Sequence, residues 1–189
     1  MATGGRFNLF FAIFPDEAAA VGLESLAEKL RRDHGLNGRP LKTVNFHVSL
    51  HGLPRSREEP RRLIERYMEA ADKLTAAPFL ARFNRAMSFE RTGAATHPLV
   101  LVSDDDATRF EELHSGLYMA LRQAGVRGLA KSGFTPHVTL LYDERRLAED
   151  HPIVPPVCWE ANKVVLVLSH VGEARYDKLK EWPLGERAE

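Results

Sequence analysis

The chain has 189 residues, of which 44% are hydrophobic and 28% charged, a composition typical of a folded globular protein. Its 26 basic and 26 acidic residues give a formal net charge of zero, which argues against binding to long tracts of DNA or RNA. The single cysteine, Cys158, excludes an internal disulfide and a thiolate metal cluster and favours a reducing, cytoplasmic location.

The first part of the chain predicts a strand, a helix and a second strand. Residues 7–14 are almost continuously apolar and typical of a buried strand, but they are too few to cross a bilayer. Asp16 is placed to cap a helix whose apolar residues share one face, and Gly35 ends that helix. Residues 43–50 are rich in β-branched and aromatic side chains, so they predict the second strand.

A second helix and an extended segment lead to a repeat of this order. Residues 56–59 have capping-box spacing and predict a helix that continues to Pro78, and residues 79–89 are mostly extended. A second strand–helix–loop–strand unit of nearly the same overall length then follows, which suggests an internal duplication. These three elements are residues 99–102, 104–124 and 136–142. The last two predicted strands are residues 164–171 and 176–184, the second at a sheet edge because Pro183 cannot donate to a central ladder.

Two segments with the same pattern lie in corresponding strands of this repeat. Each reads His-Val-hydroxyl-Leu, at residues 47–50 and at residues 137–140. Because side chains alternate across a strand, the imidazole and the hydroxyl of each segment share one face, roughly 6–7 Å apart along the backbone. The two pairs are His47 with Ser49 and His137 with Thr139. Two strands related by the duplication would bring both pairs to one cleft.

Two imidazoles and two hydroxyls around one cleft suit the hydrolysis of a phosphodiester without a metal ion. One imidazole removes a proton from the attacking water, while the other, protonated, gives a proton to the departing oxygen. The hydroxyls donate hydrogen bonds to the non-bridging oxygens as negative charge accumulates on them. Histidine suits both roles because its ordinary pKa of about 6.5 makes both protonation states accessible near neutrality.

Simpler interpretations apply to each motif alone. A single His-x-Ser or His-x-Thr on a strand is usually a half-exposed surface feature, and only the pairing points to function. His47 and His51 have a spacing that chelates zinc from a helix, but on a strand they lie roughly 13 Å apart, too far to share an ion. A metal site is therefore not predicted. His51 shares a face with His47 on this strand and is a candidate cleft residue, although its place at the strand end favours a surface role.

The paired motifs resemble those of the 2H phosphoesterases, and within them the RNA 2',3'-cyclic phosphodiesterases, also called LigT-like proteins or 2'-5' RNA ligases. The resemblance covers most of the chain: the opening segment 10–15, the motif segments 45–50 and 134–140, and the closing segments 168–172 and 176–184. It implies an α+β fold with two pseudo-symmetric lobes, whose antiparallel sheets are flanked by helices and form the active-site cleft. Residues 1–189 would then be a single 2H phosphoesterase domain.

The resemblance also implies a role for each motif residue. His47 matches the family's proton donor and His137 its proton acceptor, while Ser49 and Thr139 match the residues that hold the phosphate. The family opens the cyclic phosphate at an RNA end to leave a 2'-phosphomonoester, without a metal or nucleotide cofactor, and ligation is the weak reverse reaction. The expected partners are RNA 3' ends or small cyclic nucleotides, with no membrane and no obligate protein partner.

The chain departs from the family pattern beside the first motif. Ser49 stands where Thr is commoner, and residues 51–52, His-Gly, stand where many members have an aromatic residue, Leu and Gly. How the substrate base is held therefore stays open. The candidate base or cleft contacts are His51, Tyr142, Phe89 and Lys131, with core packing as the alternative for the aromatic residues and a solvated loop as the alternative for the lysine.

Two other functions are compatible with the same cleft. One is a non-catalytic module that binds RNA ends or nucleotides, although arginine would serve pure binding better than paired histidines. The other is a 2H phosphodiesterase for a different substrate, such as 2',5'-oligoadenylate or a cyclic ADP-ribose phosphate. The neutral net charge favours small or end-only substrates over long RNA.

Overall fold

Eight strands and three helices make up the part of the chain that the structure, a computed structural model, describes: residues 6–52, 56–104, 107–129, 133–173 and 175–185. In chain order they are β1 (Phe7–Ile13), α1 (Glu17–Asp33), a 3₁₀ turn (Thr43–Asn45), β2 (Val48–Gly52), α2 (Arg61–Ala71), β3 (Phe79–Ser88), β4 (His97–Val102), α3 (Ala107–Gln123), β5 (His137–Asp143), β6 (His151–Ala161), β7 (Lys163–His170) and β8 (Arg175–Pro183). All strand pairs are antiparallel, in the order β6-β3-β4-β5-β2-β1-β7-β8. No helix within the described ranges has the length and hydropathy that a membrane crossing requires.

The sheet consists of two four-stranded lobes that meet at one narrow seam. The first lobe is β2-β1-β7-β8 and the second is β5-β4-β3-β6. At the seam, β2 and β5 share one register pair among the described residues, Val48 with Val138. The order β1–α1–β2 in the first lobe matches β4–α3–β5 in the second, and both helices have 17 residues. The predicted α+β architecture of two pseudo-symmetric lobes is confirmed.

The helices cover one face of the sheet and leave the other face for a cleft. Alternate residues of β1 divide accordingly: Phe11 belongs to the main core, whereas Phe10 and Ala12 form a small second cluster with residues of β7. The buried residues of α1 recur on one face, as the sequence predicts: Ala19, Ala20, Leu23, Ala27 and Leu30. Those of α3 do the same: Phe110, Leu113, His114, Leu117 and Leu121.

The beginning and end of α1 follow the local signals in the sequence. The Asp16 side chain accepts a hydrogen bond of 2.8 Å from the backbone N–H of Ala19, which satisfies a donor that the first turn leaves unpaired. Gly35 follows the helix at a φ of 62°, a conformation that glycine adopts without steric cost. Both predictions for this helix are confirmed.

Other predicted boundaries are wrong for identifiable reasons. The predicted strand 43–50 is divided, because Thr43–Asn45 form a 3₁₀ turn and β2 begins only at Val48. The capping box at 56–59 does not form: the Ser56 hydroxyl donates to the Glu58 carbonyl, and α2 begins at Arg61. α2 also ends at Ala71, well before Pro78.

The outer strands show how proline is tolerated in a sheet. β6 was not predicted, since its three prolines argue against a central strand, and it lies at one edge of the sheet. β8 lies at the opposite edge, where Pro183 places it. The extended segment 79–89 forms one continuous strand, β3, whose pairing register with β6 shifts between Phe83 and Arg85.

A buried carboxylate ties the loop after α1 to the end of β5. Asp143, 3% exposed, accepts hydrogen bonds from the backbone N–H groups of Asn37 at 2.5 Å, of Gly38, and of Arg145 at 2.7 Å. A Cβ on Gly38 would collide with the Tyr142 carbonyl oxygen, so only glycine allows this approach. Burial by itself raises the pKa of Asp143, but the three N–H groups outweigh it and hold the pKa below its ordinary value. The loop of one lobe is thereby fixed to a strand of the other.

We expect Asp143→Asn to lower the free energy of unfolding by about 1–3 kcal/mol at pH 7, because an amide cannot replace an anionic acceptor of three N–H groups. Since the pKa of Asp143 is lowered in the folded state, its contribution is present above the unfolded pKa of about 3.9 and is lost as the pH falls through that range. Urea denaturation at pH 7 and pH 3 measures both effects. Asp33→Asn, which alters an exposed ion pair with Lys29, is the control. Equal decreases in the free energy of unfolding in the two variants would contradict the prediction.

Candidate active site

An open cleft of about 750 Å³ lies on the sheet face opposite the helices, where the two lobes meet. His47 and Ser49 line it from the first lobe, and His137 and Thr139 line it from the second. The duplicated motifs therefore converge on one opening. The two motifs lie far apart along the chain, and the pairing of β2 with β5 brings them together.

Both imidazoles are anchored in the same way. His47 Nδ1 lies 2.7 Å from the carbonyl oxygen of Asn45, and His137 Nδ1 lies 2.7 Å from the carbonyl oxygen of Thr135. A carbonyl only accepts, so each Nδ1 carries a proton, and in the neutral ring Nε2 keeps its lone pair. His47 Nε2 lies 3.0 Å from the Ser49 hydroxyl, which donates to it when the ring is neutral. Each ring can thus exchange a proton through Nε2.

The surroundings of the cleft disfavour the charged form of both histidines. The pKa of His47 is lowered to about 4, chiefly by burial and to a smaller extent by the charge of His137, against the opposing effect of the Asn45 carbonyl. Burial also lowers the pKa of His137, against the opposing effect of the Thr135 carbonyl. The two rings therefore interact electrostatically, and adding a proton to one disfavours adding a second.

Aromatic side chains surround the rings unequally. His47 packs against Phe10, Phe14 and Tyr176, with ring centroids 5.1, 5.7 and 5.4 Å away. Phe89 packs edge-to-face with the His137 ring, with ring centroids 4.9 Å apart. The apolar wall around His47 explains why burial is the largest influence on its pKa.

A bulge in each motif strand changes which residues face the cleft. On β2, Ser49 pairs with Ala12 but Gly52 pairs with Phe10, so β2 carries one extra residue. On β5, the pairing with β4 shifts in the same way after Thr139. The next residue toward the cleft is therefore the third after each hydroxyl residue, which is Gly52 on β2 and Tyr142 on β5.

A family model described as the 2'-5' RNA ligase superfamily matches residues 14–173. The chain belongs to this superfamily. Apo LigT of E. coli is similar in structure, with a TM-score of 0.75 at 20% identity over 95% of this chain and 98% of that chain. E. coli LigT complexed with 3'-AMP has a TM-score of 0.72 at 22% identity, over 95% and 98% of the two chains. The protein TT0787 of Thermus thermophilus has a TM-score of 0.70 at 22% identity, over 94% and 97%.

The match to the family model identifies the chain as a LigT-like 2H phosphoesterase, and the structural matches agree on the fold. At identities near 20% those structures establish the fold alone. The comparison with curated proteins finds no matching sequence.

Both expectations for His51, a position in the cleft and a surface role at the strand end, are wrong. The bulge on β2 turns its side chain toward α3, where it is 3% exposed and its ring stacks on His114 at 3.8 Å. Its Nε2 lies 2.8 Å from the His114 carbonyl oxygen, to which it donates. His47 and His51 consequently do not share an ion. Within the described ranges, no group of three or more His, Cys, Asp or Glu residues is arranged to hold a metal.

The three other residues predicted to contact the substrate lie in different places. Tyr142 lines the cleft with 43% of its surface exposed, where it is available to a substrate base. Phe89 contacts the His137 ring, so the structure gives it a packing role and leaves base stacking a prediction. Lys131 lies outside the described residues.

Sequence reasoning missed several cleft residues from the first lobe. Asn8 comes from β1 and Tyr176 from β8, while residues 169–170 end β7 and residues 171–172 lie in the turn that follows it. The alternation of β1 places Asn8 on the same face as Phe10, but only the strand order reveals that this face borders the cleft.

A pair of buried histidines lies behind β2. The pKa of His114 is lowered to about 4, chiefly by burial and to a smaller extent by the charge of His51. Burial lowers the pKa of His51 as well, although the His114 carbonyl opposes this. Phe134 stacks on the other face of His114 with ring centroids 4.3 Å apart. The His114 imidazole therefore stays neutral in the folded protein near pH 6.

We expect the free energy of unfolding to fall between pH 7 and pH 5, because histidines of the unfolded chain bind protons near pH 6.5 that the folded protein does not bind. Each such histidine contributes at most about 1.4 kcal/mol per pH unit. His114→Phe keeps the ring stack and the backbone carbonyl and should reduce this slope, as measured by urea denaturation across the range. His34→Phe, at an exposed position, is the control. An unchanged slope in His114→Phe would count against this account.

Proposed function

We propose that the protein hydrolyses the 2',3'-cyclic phosphate of an RNA 3' end or a small nucleotide to a 2'-phosphomonoester, without a metal ion. The observation that carries this proposal is the pair of imidazoles, each anchored through Nδ1 and each beside a hydroxyl, in one cleft. The complex of E. coli LigT with 3'-AMP, a protein of the same fold, supports a nucleotide as the ligand.

His137 is the proposed base and His47 the proposed acid. His137 Nε2 accepts a proton from the water that attacks phosphorus, and the bond from phosphorus to the 3'-oxygen breaks. His47 Nε2 donates its proton to that oxygen, which leaves a 3'-hydroxyl and a 2'-phosphate. His47 ends neutral and His137 protonated, so one proton exchanged with solvent restores the starting state. The carbonyls of Asn45 and Thr135 hold the rings in place throughout.

The hydroxyls complete the site by binding the phosphate. Ser49 and Thr139 flank the cleft from the two lobes and can each donate to a non-bridging oxygen. Because Ser49 Oγ lies 3.0 Å from His47 Nε2, a phosphate held there lies next to the proton donor. The negative phosphate also raises the pKa of His47 in the complex, so the substrate brings the acid into its protonated form.

We expect His47→Ala and His137→Ala each to lower kcat for a 2',3'-cyclic nucleotide by about 10²–10⁴-fold, because each removes one proton-transfer group. EDTA should leave the rate unchanged. His34→Ala, an exposed histidine outside the cleft, serves as the matched control, and circular dichroism checks folding. Chromatography of the products against 2'- and 3'-phosphate standards tests the regiochemistry. Binding of cyclic nucleotides without turnover would replace this proposal with a non-catalytic binding module.

The pH dependence of kcat/KM provides a second test. The reactive form has His47 protonated and His137 neutral, yet in the free protein the pKa of His47 is about 4 and that of His137 is below its ordinary value. Above pH 6.5 the reactive fraction therefore falls about tenfold per pH unit, and kcat/KM falls with it. The bound phosphate moves the corresponding fall in kcat to higher pH. A kcat/KM that stays constant from pH 6.5 to 8 would contradict the assigned protonation states.

A further inference from the structure

Three rings stack behind the cleft, on the face of the sheet that the helices cover. The His51 and His114 rings have centroids 3.8 Å apart, and the Phe134 ring lies on the other face of His114 at 4.3 Å. The His114 and Phe134 rings are nearly parallel, at an angle of 10°. Both imidazoles of the stack are buried, and neither takes part in the proposed proton transfers.

The stack connects the two motif strands through α3. His51 lies on β2, two residues after Ser49. Phe134 lies three residues before His137, with which β5 begins. The ring between them, His114, comes from α3, and its backbone carbonyl accepts a hydrogen bond of 2.8 Å from His51 Nε2. Since β2 belongs to the first lobe and β5 to the second, the stack joins the lobes on the face opposite the cleft.

The carbonyl that anchors His47 is held by regular backbone structure. Asn45, which supplies this carbonyl, is the last residue of the 3₁₀ turn. The backbone N–H groups of Asn45 and Phe46 donate to carbonyls at the start of the turn, at 2.8 and 3.3 Å. The Phe46 side chain is fully buried. The turn therefore fixes the direction of the Asn45 carbonyl.

The carbonyl that anchors His137 lies in a segment without such a turn. Residues 133–136 have no regular secondary structure, and Thr135 supplies the carbonyl. Between described residues, no backbone-to-backbone hydrogen bond involves Phe134 or Thr135. The Phe134 ring, packed on His114 and against the main core, therefore holds the residue next to this anchor.

The repeat shows that this support belongs to the second motif alone. Counted back from each catalytic histidine, Val44 has the position in the first motif that Phe134 has in the second. Val44 is 68% exposed, whereas Phe134 packs against the main core. In the second motif, a stacked ring thus replaces the turn as the support of the anchoring carbonyl.

The Thr135 carbonyl matters because it selects the tautomer of His137. While Nδ1 donates to this carbonyl, the neutral ring has its lone pair on Nε2, the atom that must accept a proton from water. A ring that lost the carbonyl could carry its proton on Nε2 and would then not act as the base. A displacement of about 1 Å in an active site lowers a rate by roughly 100-fold.

We propose that His114 and Phe134 are positioning residues for the base. Their stacked rings hold the Thr135 carbonyl at the place where it keeps the His137 proton on Nδ1. The inference rests on the proposed function, in which His137 is the base. Ring pairs prefer particular geometries, so the stack restricts the orientation of Phe134 more than an aliphatic contact does. His51 supports the stack by fixing α3 against β2.

Variants that remove or keep the stack test this role. His114→Leu and Phe134→Leu keep an apolar side chain without a ring, and we expect each to lower kcat for a 2',3'-cyclic nucleotide about 10–100-fold. KM should change less than about twofold, because Ser49 and Thr139 still bind the phosphate. His114→Phe keeps three stacked rings and should retain most of the wild-type kcat.

Phe110→Leu is the matched control. It also replaces a fully buried ring of α3 with leucine, but the ring partners of Phe110 are Phe79 and Phe83 of β3, away from the motifs. We expect this variant to keep a kcat close to that of the wild type. Thermal unfolding shows whether each variant is folded at the assay temperature. Phe134 is only partly buried, so Phe134→Leu remains available if His114→Leu does not fold.

NMR of the ring nitrogens reports the tautomers without a substrate. At roughly pH 8 both catalytic imidazoles are neutral, since the pKa of each is below the ordinary value. The wild type should carry the His137 proton on Nδ1, and the two leucine variants should show a mixture of both tautomers. The His47 tautomer, which the Asn45 carbonyl selects, should stay unchanged and serves as the internal control.

The outcomes separate this inference from the function on which it rests. A folded leucine variant that keeps the wild-type tautomer of His137, or the wild-type kcat, overturns the positioning role and leaves the proposed function intact. So does an equal loss of kcat in His114→Phe and His114→Leu. A wild type that hydrolyses no cyclic nucleotide overturns the proposed function, while the NMR spectra still decide whether the stack sets the tautomer.

Discussion

The pairing of Val48 with Val138 is the contact on which the cleft depends. Each valine lies between the histidine and the hydroxyl of its motif, so burying both valines turns both polar pairs to the other face of the sheet. In antiparallel register this single pair sets His47 beside Thr139 and Ser49 beside His137. Because the strands share so short a ladder, the Asp143 carboxylate adds a second connection between the lobes.

The fold also sets the electrostatic state of the site. Aromatic rings from β1 and β8 exclude water around His47, and this burial, more than any charge, lowers its pKa. Neutral imidazoles avoid the cost of two buried cations side by side. An anionic ligand then stabilises the imidazolium that the proposed chemistry needs. The aromatic rings that pack around His47 therefore also set the protonation state on which the proposed chemistry depends.

The parts of the structure that local signals determine could be predicted from the sequence, and the parts that depend on pairing could not. The Asp16 cap, the apolar face of α1 and the two histidine motifs follow from residue spacing. The orientation of His51 does not, because a bulge inserts a residue only relative to a partner strand. Asn8 likewise reaches the cleft through a strand order that places β1 between β2 and β7.

A duplicated cleft becomes selective only where its halves differ. Two equivalent histidines would have no fixed roles, yet His47 is enclosed by three aromatic rings and His137 contacts one. The stronger burial makes protonated His47 the stronger acid, which suits the donation of a proton to a departing alkoxide. The contrast of Gly52 with Tyr142 breaks the same symmetry in shape. Departures from the repeat thus distinguish the proposed roles of the two histidines and give the two halves of the cleft different shapes.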